Sequence, residues 1–294
     1  MRHNFVGHRK LWTTRVRRVF DRGAAVRWEE LKPDEGMVQG LDVADAGGSR
    51  PDALAGDQSA RKNWSNRFAD ACAQMVADAV RHNRTLSKFD VRPNADGSGK
   101  EALTFVAAGK RKRVDVIAAT LASGLQVGIS LKGLNFRGPG GNFDHNLTGR
   151  TYELQDEVGA IHEYQAAAFM VGLYFLPIQA AWDKTTAASS FARTVAHLRA
   201  RSGRIDRMLP SQLRRCDAAA VALYVPGDPG DPFPRGVVRY FDVSDDPPRR
   251  GRPTVGSTHT LKQLVELLAE QHAMDEAAID WADPEPDPAI TPET

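Results

Sequence analysis

RKRVDVIAATLASGLQVGISLKG, residues 111–133, is the run from which the rest of the chain can be placed. Val114 and Val116 in its first half, and Val127, Ile129 and Leu131 in its second, alternate with smaller or polar residues, and Ser123-Gly124 stands between the halves. Alternation at period two is the mark of a half-buried strand, and a Gly-containing dipeptide between two such runs marks a β-hairpin. With Ser123-Gly124 as a two-residue loop, counting outward along the antiparallel ladder brings Asp115 opposite Lys132. Both then share a face with Ser130, while the Val/Ile/Leu set points into a core. An acid and a lysine on one sheet face are costly to desolvate, which leaves two readings. One is an exposed cross-strand ion pair worth under about 1 kcal/mol. The other is a metal-dependent phosphodiesterase, with Asp115 helping to hold Mg2+ and Lys132 serving the attacking water.

Upstream, residues 61–83 have helical spacing, with Trp64, Phe68, Ala71, Cys72, Met75, Ala79 and Val80 on one face and Asp70 on the solvated side. Residues 86–107 are expected to hold the first strand or strands. They are interrupted by the turn Asn94-Ala95-Asp96-Gly97 and lead through Gly109-Lys110 into the hairpin. The segment Gly97-Ser98-Gly99-Lys100 lacks the first glycine of a phosphate loop and has Glu101 where Ser or Thr is needed, which excludes an NTPase reading. Downstream, GLNFRGPGGNFDHNLTGR (133–150) is expected as a long flexible loop. It carries Asn135, Arg137, Asn142, His145, Asn146 and Arg150, residue types that contact phosphates and base edges. Asp144-His145-Asn146 raises an HNH-type nuclease, but the long helix expected next does not fit one. Residues 151–176 read as one helix stopped by Pro177, with Leu154, Val158, Ile161, Ala168, Phe169, Gly172 and Phe175 as its buried stripe. A helix over 189–201, strands over 218–225 and 236–243, and a last helix to His272 capped by Thr260-x-x-Gln263 complete the body. Strand, helix, strand order predicts an α/β fold with a mixed central β-sheet flanked by helices.

A hairpin with an acid on its first strand and x-Lys on its second, followed by a long helix, resembles the core of the PD-(D/E)XK nuclease superfamily, which includes many type II restriction endonucleases. The resemblance covers roughly residues 60–180 and implies a restriction-endonuclease-like core. It also implies a Mg2+-dependent DNA endonuclease of restriction or phage-defence type, acting on double-stranded DNA. Asp115, Lys132 and a helix glutamate would be catalytic, with Asp115 and that glutamate as metal ligands. The sequence departs from the family at Ser130-Leu131-Lys132, where Asp or Glu most often stands two residues before the lysine. Some restriction-enzyme branches resemble this variant and recruit the missing carboxylate from the helix that follows, which here supplies Glu153, Asp156 and Glu157. Helix geometry puts Glu157 beside the buried stripe and Glu153 nearer the loop mouth, so Glu157 is the first choice and Glu153 the second. Gln165 with Phe169 resembles the Gln-x-x-x-Tyr element of some members. The absent carboxylate at position 130 favours an alternative, a non-catalytic nucleic-acid-binding subunit that keeps the nuclease fold.

The 294 residues, 41% hydrophobic, suffice for one large domain with appendages. Cys72 and Cys216, without paired spacing, argue against a disulfide framework or zinc cluster, and a reducing cytoplasm fits them. No apolar run is long enough to span a membrane. The net charge of +2 conceals a polarity: residues 1–32 carry nine Lys/Arg against three acids, whereas 274–294 carry seven acids and no Lys/Arg. Trp12, Val16, Val19 and Phe20 predict a short basic amphipathic helix, and seven arginines over 193–215 against Asp206 alone predict a second basic patch. The expected organisation is a basic arm and linker (1–60), a nuclease-like α/β domain (61–273) and an acidic, disordered tail (274–294). A homodimer and a defence-complex partner are both left open. No nucleophile elbow, zinc motif or dinucleotide fingerprint is present.

Overall fold

The computed structural model describes residues 26–51, 57–99, 102–105, 111–207 and 209–277. The expected basic helix at 12–20, the turn Gly109-Lys110 and the tail beyond 277 lie outside the described residues. In chain order the strands are β1 (Asp90–Arg92), β2 (Ala102–Phe105), β3 (Arg111–Val114), β4 (Val116–Thr120), β5 (Gly124–Gly133), β6 (Phe169–Pro177), β7 (Ala218–Tyr224) and β8 (Val238–Asp242). The helices are α1 (Glu35–Asp45), α2 (Gln58–Arg81), α3 (Leu147–Tyr164), α4 (Ser190–Arg199) and α5 (Leu261–Ala277). Six strands form one mixed sheet in the order β1-β4-β5-β6-β7-β8, and β2 pairs with β3 as a separate ribbon. The pairs β5–β6 and β6–β7 are parallel and the others antiparallel. The predicted α/β class, a mixed sheet flanked by helices, is the one observed.

Each sheet face carries its own core. On one, α1, α2 and α5 cover Val127, Ile129, Leu131, Phe175 and Tyr224, with Trp64 stacked on Phe68 at 5.0 Å. On the other, α3 and α4 bring Leu154, Val158, Ile161 and Phe191 against Met170, Tyr174, Val221 and Phe241. Among the described residues no helix is long and apolar enough to cross a membrane.

Four expectations about the elements need correction. The last helix runs past His272 to Ala277, into the span expected as a disordered tail. Residues 151–176 are not one helix: α3 ends at Tyr164, Gln165 caps it, and β6 follows with every residue buried. A strand between two parallel neighbours and covered on both faces has no polar alternation, so its apolar run looks like the continuation of a buried helix. The linker expected before residue 60 contains α1, which Asp34 caps by accepting from the Met37 N–H at 2.9 Å. Met37, Leu41 and Ala44 bury at i, i+4, i+7, so this part of the arm belongs to the body. The hairpin register also differs. The turn is Leu121-Ala122-Ser123, Thr120 pairs with Gly124 (φ +69°), and the ladder slips between Ala118 and Ala119. The turn moves the register and the slip partly restores it, so Val116 faces Ile129 and the position across from Lys132 is not Asp115. Asp115 instead forms the bend at which the chain leaves β3 for β4.

Candidate active site at the end of strand β5

Strand β5 delivers Ser130-Leu131-Lys132 to its carboxyl end, with Ser130 1% and Lys132 8% exposed. The crossover helix α3 passes over them on its way to β6. Gly172 of β6 lies beside Ser130 in the parallel register, and a Cβ added there would sit 2.8 Å from Leu154 Cδ2. The glycine therefore lets α3 lie close to the sheet at this point. Glu157, next to buried Val158, reaches down at this closest approach: Ser130 Oγ donates to its Oε2 at 2.6 Å, and Lys132 Nζ lies 2.8 and 2.9 Å from its two oxygens. From the strand edge, half-buried Asp115 accepts the Leu131 N–H on Oδ2 at 2.7 Å. Two carboxylates thus hold one tripeptide, Glu157 through side chains on the α3 face and Asp115 through the main chain. Tyr174 is the ladder partner of Lys132. Its hydroxyl is buried without a hydrogen-bond partner among the described residues, and burial raises the phenol well above its ordinary pKa.

The other helix acids are engaged elsewhere. Glu153 takes Arg150 at 2.8 Å. Asp156 takes Lys112 at 2.7 Å and Arg214 at 3.7 Å, and the Lys112 hydrogen bond holds its carboxyl below the usual value. Asp70 is exposed on α2, across the sheet. Of the candidate carboxylates, Asp115 and Glu157 are the two that meet β5. Their chemistry fits Mg2+, a hard cation that takes one or two protein carboxylates and keeps several waters. Because Glu157 spends both oxygens on Lys132, a cation there would share it with the ammonium.

The loop after β5 is pinned, contrary to the flexible connection expected. Gly138 N–H bonds the Asn142 carbonyl at 2.8 Å, and Phe143 N–H bonds Asp183 Oδ2 at 2.9 Å. Asp144, its side chain 2% exposed, is gripped by Lys184 and Arg193 at 2.6 Å each. The buried acid would be unstable without these cations, so loop and α4 are locked together. This consumes much of the expected nucleic-acid contact set. Asn135 is 4% exposed and accepts from the Tyr224 hydroxyl at 3.0 Å. Arg137 bonds the Gly141 carbonyl at 2.7 Å and lies over Phe143, while Arg150 is held by Glu153. Asn142 is half-buried, and His145 and Asn146 remain exposed.

The arginines of the basic patch expected over 193–215 are largely committed to partners within the chain, with Arg193 and Arg214 still exposed. Arg204 and Asp217 are buried together at 2.9 Å, and Arg199 pairs with Asp246 at 2.8 Å. Arg207 pairs with Asp275 at 3.6 Å, and Arg215 bonds the carbonyls of Ala200 and Ser202. Gln165 also has a definite task. Its Oε1 accepts Leu125 N–H at 3.1 Å and its Nε2 donates to the Ser123 and Leu125 carbonyls at 2.7 and 2.8 Å, so the helix end clamps the hairpin turn. In the sequence Gln165 reads as an interior position of one long helix, which gives no signal for that task. Comparisons with protein-family models, curated proteins and solved structures find no match to this chain.

Proposed function

We propose that the chain is a Mg2+-dependent DNA endonuclease of restriction or phage-defence type, acting in the cytoplasm on double-stranded DNA. The observation that carries the reading is Glu157: a carboxylate from the crossover helix seated on Ser130 and Lys132, beside Asp115, in place of the strand acid the sequence lacks. The order of elements agrees with the resemblance: α2 on the sheet, the β4–β5 hairpin, helix α3, then β6 parallel to β5.

Hydrolysis of a phosphodiester must overcome repulsion between an anionic phosphate and an incoming oxygen. Bound Mg2+ supplies charge neutralisation and lowers the pKa of water. Asp115, anchored by Leu131 N–H, and Glu157, anchored by Ser130 Oγ, are the residues that would hold it. Lys132 has three donors and a carboxylate that fixes its direction. Turned from Glu157 toward a scissile phosphate, its ammonium stabilises the charge that builds on the phosphate oxygens. Ser130 positions Glu157 and is too weak an oxygen donor to replace it.

The test is cleavage of a mixed pool of supercoiled plasmid and RNA by the purified full chain, with Mg2+ or with chelator. Asp115→Asn, Lys132→Ala and Glu157→Gln are each expected to abolish metal-dependent cleavage, and Glu153→Gln only to slow it. Wild-type rates in any of the first three remove the site assignment. The closed Lys132–Glu157 pair favours one second reading, the non-catalytic nucleic-acid-binding subunit; DNA binding by wild type without cleavage would select it.

A further inference from the structure

Beside the loop that holds Asp144 lies an open cleft of about 670 Å3 lined by Trp182, Lys184, Thr185, Arg249, Arg250 and Gly251. Its two walls are stitched together by the main chain: Gly251 N–H bonds the Ala181 carbonyl at 2.6 Å and Ser189 N–H the Arg249 carbonyl at 2.9 Å. Gly251, at φ +88°, turns the Pro-Arg-Arg-Gly segment. Arg249 and Arg250 each donate to a carbonyl of the facing wall, Thr186 and Thr185, which aims the guanidiniums and leaves further donors outward.

Three features set this cleft apart. Its lining holds three cations and no acid. Lys184 is committed to Asp144, but Arg249 and Arg250 are exposed and form no ion pair among the described residues, unlike Arg193, Arg199, Arg204, Arg207, Arg214, Arg235 and Arg252. Trp182 is 39% exposed where Trp28 and Trp64 are buried, and no ring or cation covers its face among the described residues. An aromatic face beside paired, outward guanidiniums is the chemistry that receives a base and its phosphate together. A base inside a duplex is already stacked on both sides, so the ring has something to offer only to an unpaired one. Lys184 ties the cleft to Asp144, in the loop that joins β5 to α3.

We propose that this cleft binds an unpaired nucleotide of a nucleic-acid strand, with the base on Trp182 and the phosphate on Arg249 and Arg250. The ligand class rests on the nuclease reading, but binding is measured without cleavage, so the two fail separately. The full chain in chelator is titrated with a labelled oligothymidylate of about 12 nucleotides, following anisotropy and tryptophan fluorescence. Wild type is expected to bind with quenching. Trp182→Ala is expected to weaken binding about tenfold and remove the quench. The Arg249→Ala/Arg250→Ala pair is expected to flatten the log K against log salt slope by about 1.4. Trp182→Phe, which keeps a ring, is expected to retain most of the affinity and guards against a folding artefact. A fully paired hairpin is expected to be indifferent to Trp182→Ala. The proposal is overturned if Trp182→Ala binds as wild type, if the hairpin loses as much affinity as the single strand, or if thymidine monophosphate displaces the oligonucleotide at equal nucleotide concentration, which would make the cleft a mononucleotide pocket. Oligonucleotide binding with these dependences, by a protein that cuts nothing, would sustain the cleft and end the nuclease reading.

Discussion

Replacing Glu157 by Gln and Lys132 by Met, singly and together, measures how strongly the two side chains depend on each other. The Lys132 side chain is 9% exposed and that of Glu157 23%, so the pair is dry on the lysine's side and wetted on the glutamate's. Glu157→Gln leaves a nearly buried ammonium facing a neutral amide. Removing one partner of a buried pair costs about 3–5 kcal/mol, and water at the glutamate end places this case near about 3 kcal/mol. Lys132→Met leaves a carboxylate that keeps Ser130 Oγ and part of its hydration, and Met refills the space of the lysine stem, so the loss is about 1–2 kcal/mol. With both charges gone the strand end keeps its shape, and the double variant is expected within about 1 kcal/mol of wild type. The coupling is then about 3–5 kcal/mol, read from urea unfolding in chelator. Mg2+ shared between Asp115 and Glu157 would take over part of the lysine's role, so the coupling should shrink when the metal is added. Single effects that add to within about 0.5 kcal/mol would show that the pair is not desolvated as described and would refute the reasoning.

Gln165→Ala removes the three hydrogen bonds that tie the end of α3 to the hairpin turn, and is expected to cost about 2–3 kcal/mol. Amide exchange should accelerate at Leu125 more than in β7, and equal Leu125 protection in wild type and variant would refute the clamp. Asp217 is buried, pairs with Arg204 and lies 3.6 Å from His162. Burial works against its charge, but neighbouring His162, the Arg204 charge and the Met170 N–H, which donates to Oδ2 at 2.7 Å, prevail and hold its carboxyl below the usual value. A depressed acid contributes stability that is complete above the ordinary carboxylate range and lost as pH falls through the folded value. The gap in melting temperature between wild type and Asp217→Asn should therefore narrow between about pH 5 and pH 2, and a constant gap would exclude this source.

The hairpin is legible because β5 turns Val127, Ile129 and Leu131 to one core at period two, beside Val116 and Ala118 of β4, with Ser130 and Lys132 on the other face; Val114, read with that set, instead ends β3 and packs in the opposite core. Its register is not legible, because it depends on turn length. Thr120 Oγ1, bonded to Ser123 N–H at 2.9 Å, helps close a three-residue turn that no alternation records. Glu157 is legible for a different reason: helix phase sets it about 40° from Ile161 on the flank of the stripe, whereas Glu153 lies about 80° from it. Strand β6 carries no period to read, since parallel partners and helices on both faces make every position a core position. Helix α1 carries one, Met37, Leu41 and Ala44, but two glycines, Gly36 and Gly40, dilute it.

Charge is where local reading misleads most, and the reason is geometric. The arginines of 193–215 look like a surplus because the acids that receive them, Asp144, Asp156, Asp217, Asp246 and Asp275, come for the most part from distant loops and helices. A count over a short window sees the cations and misses their partners. The opposite error hides the Trp182 cleft. Around Arg249 and Arg250 the chain reads Ser-Asp-Asp-Pro-Pro-Arg-Arg-Gly-Arg, close to neutral, yet Asp246 is drawn away to Arg199 and Arg252 to Glu29. The fold thus spends the conspicuous arginines on stapling its own loops, and leaves facing solvent the pair that a neutral-looking segment conceals.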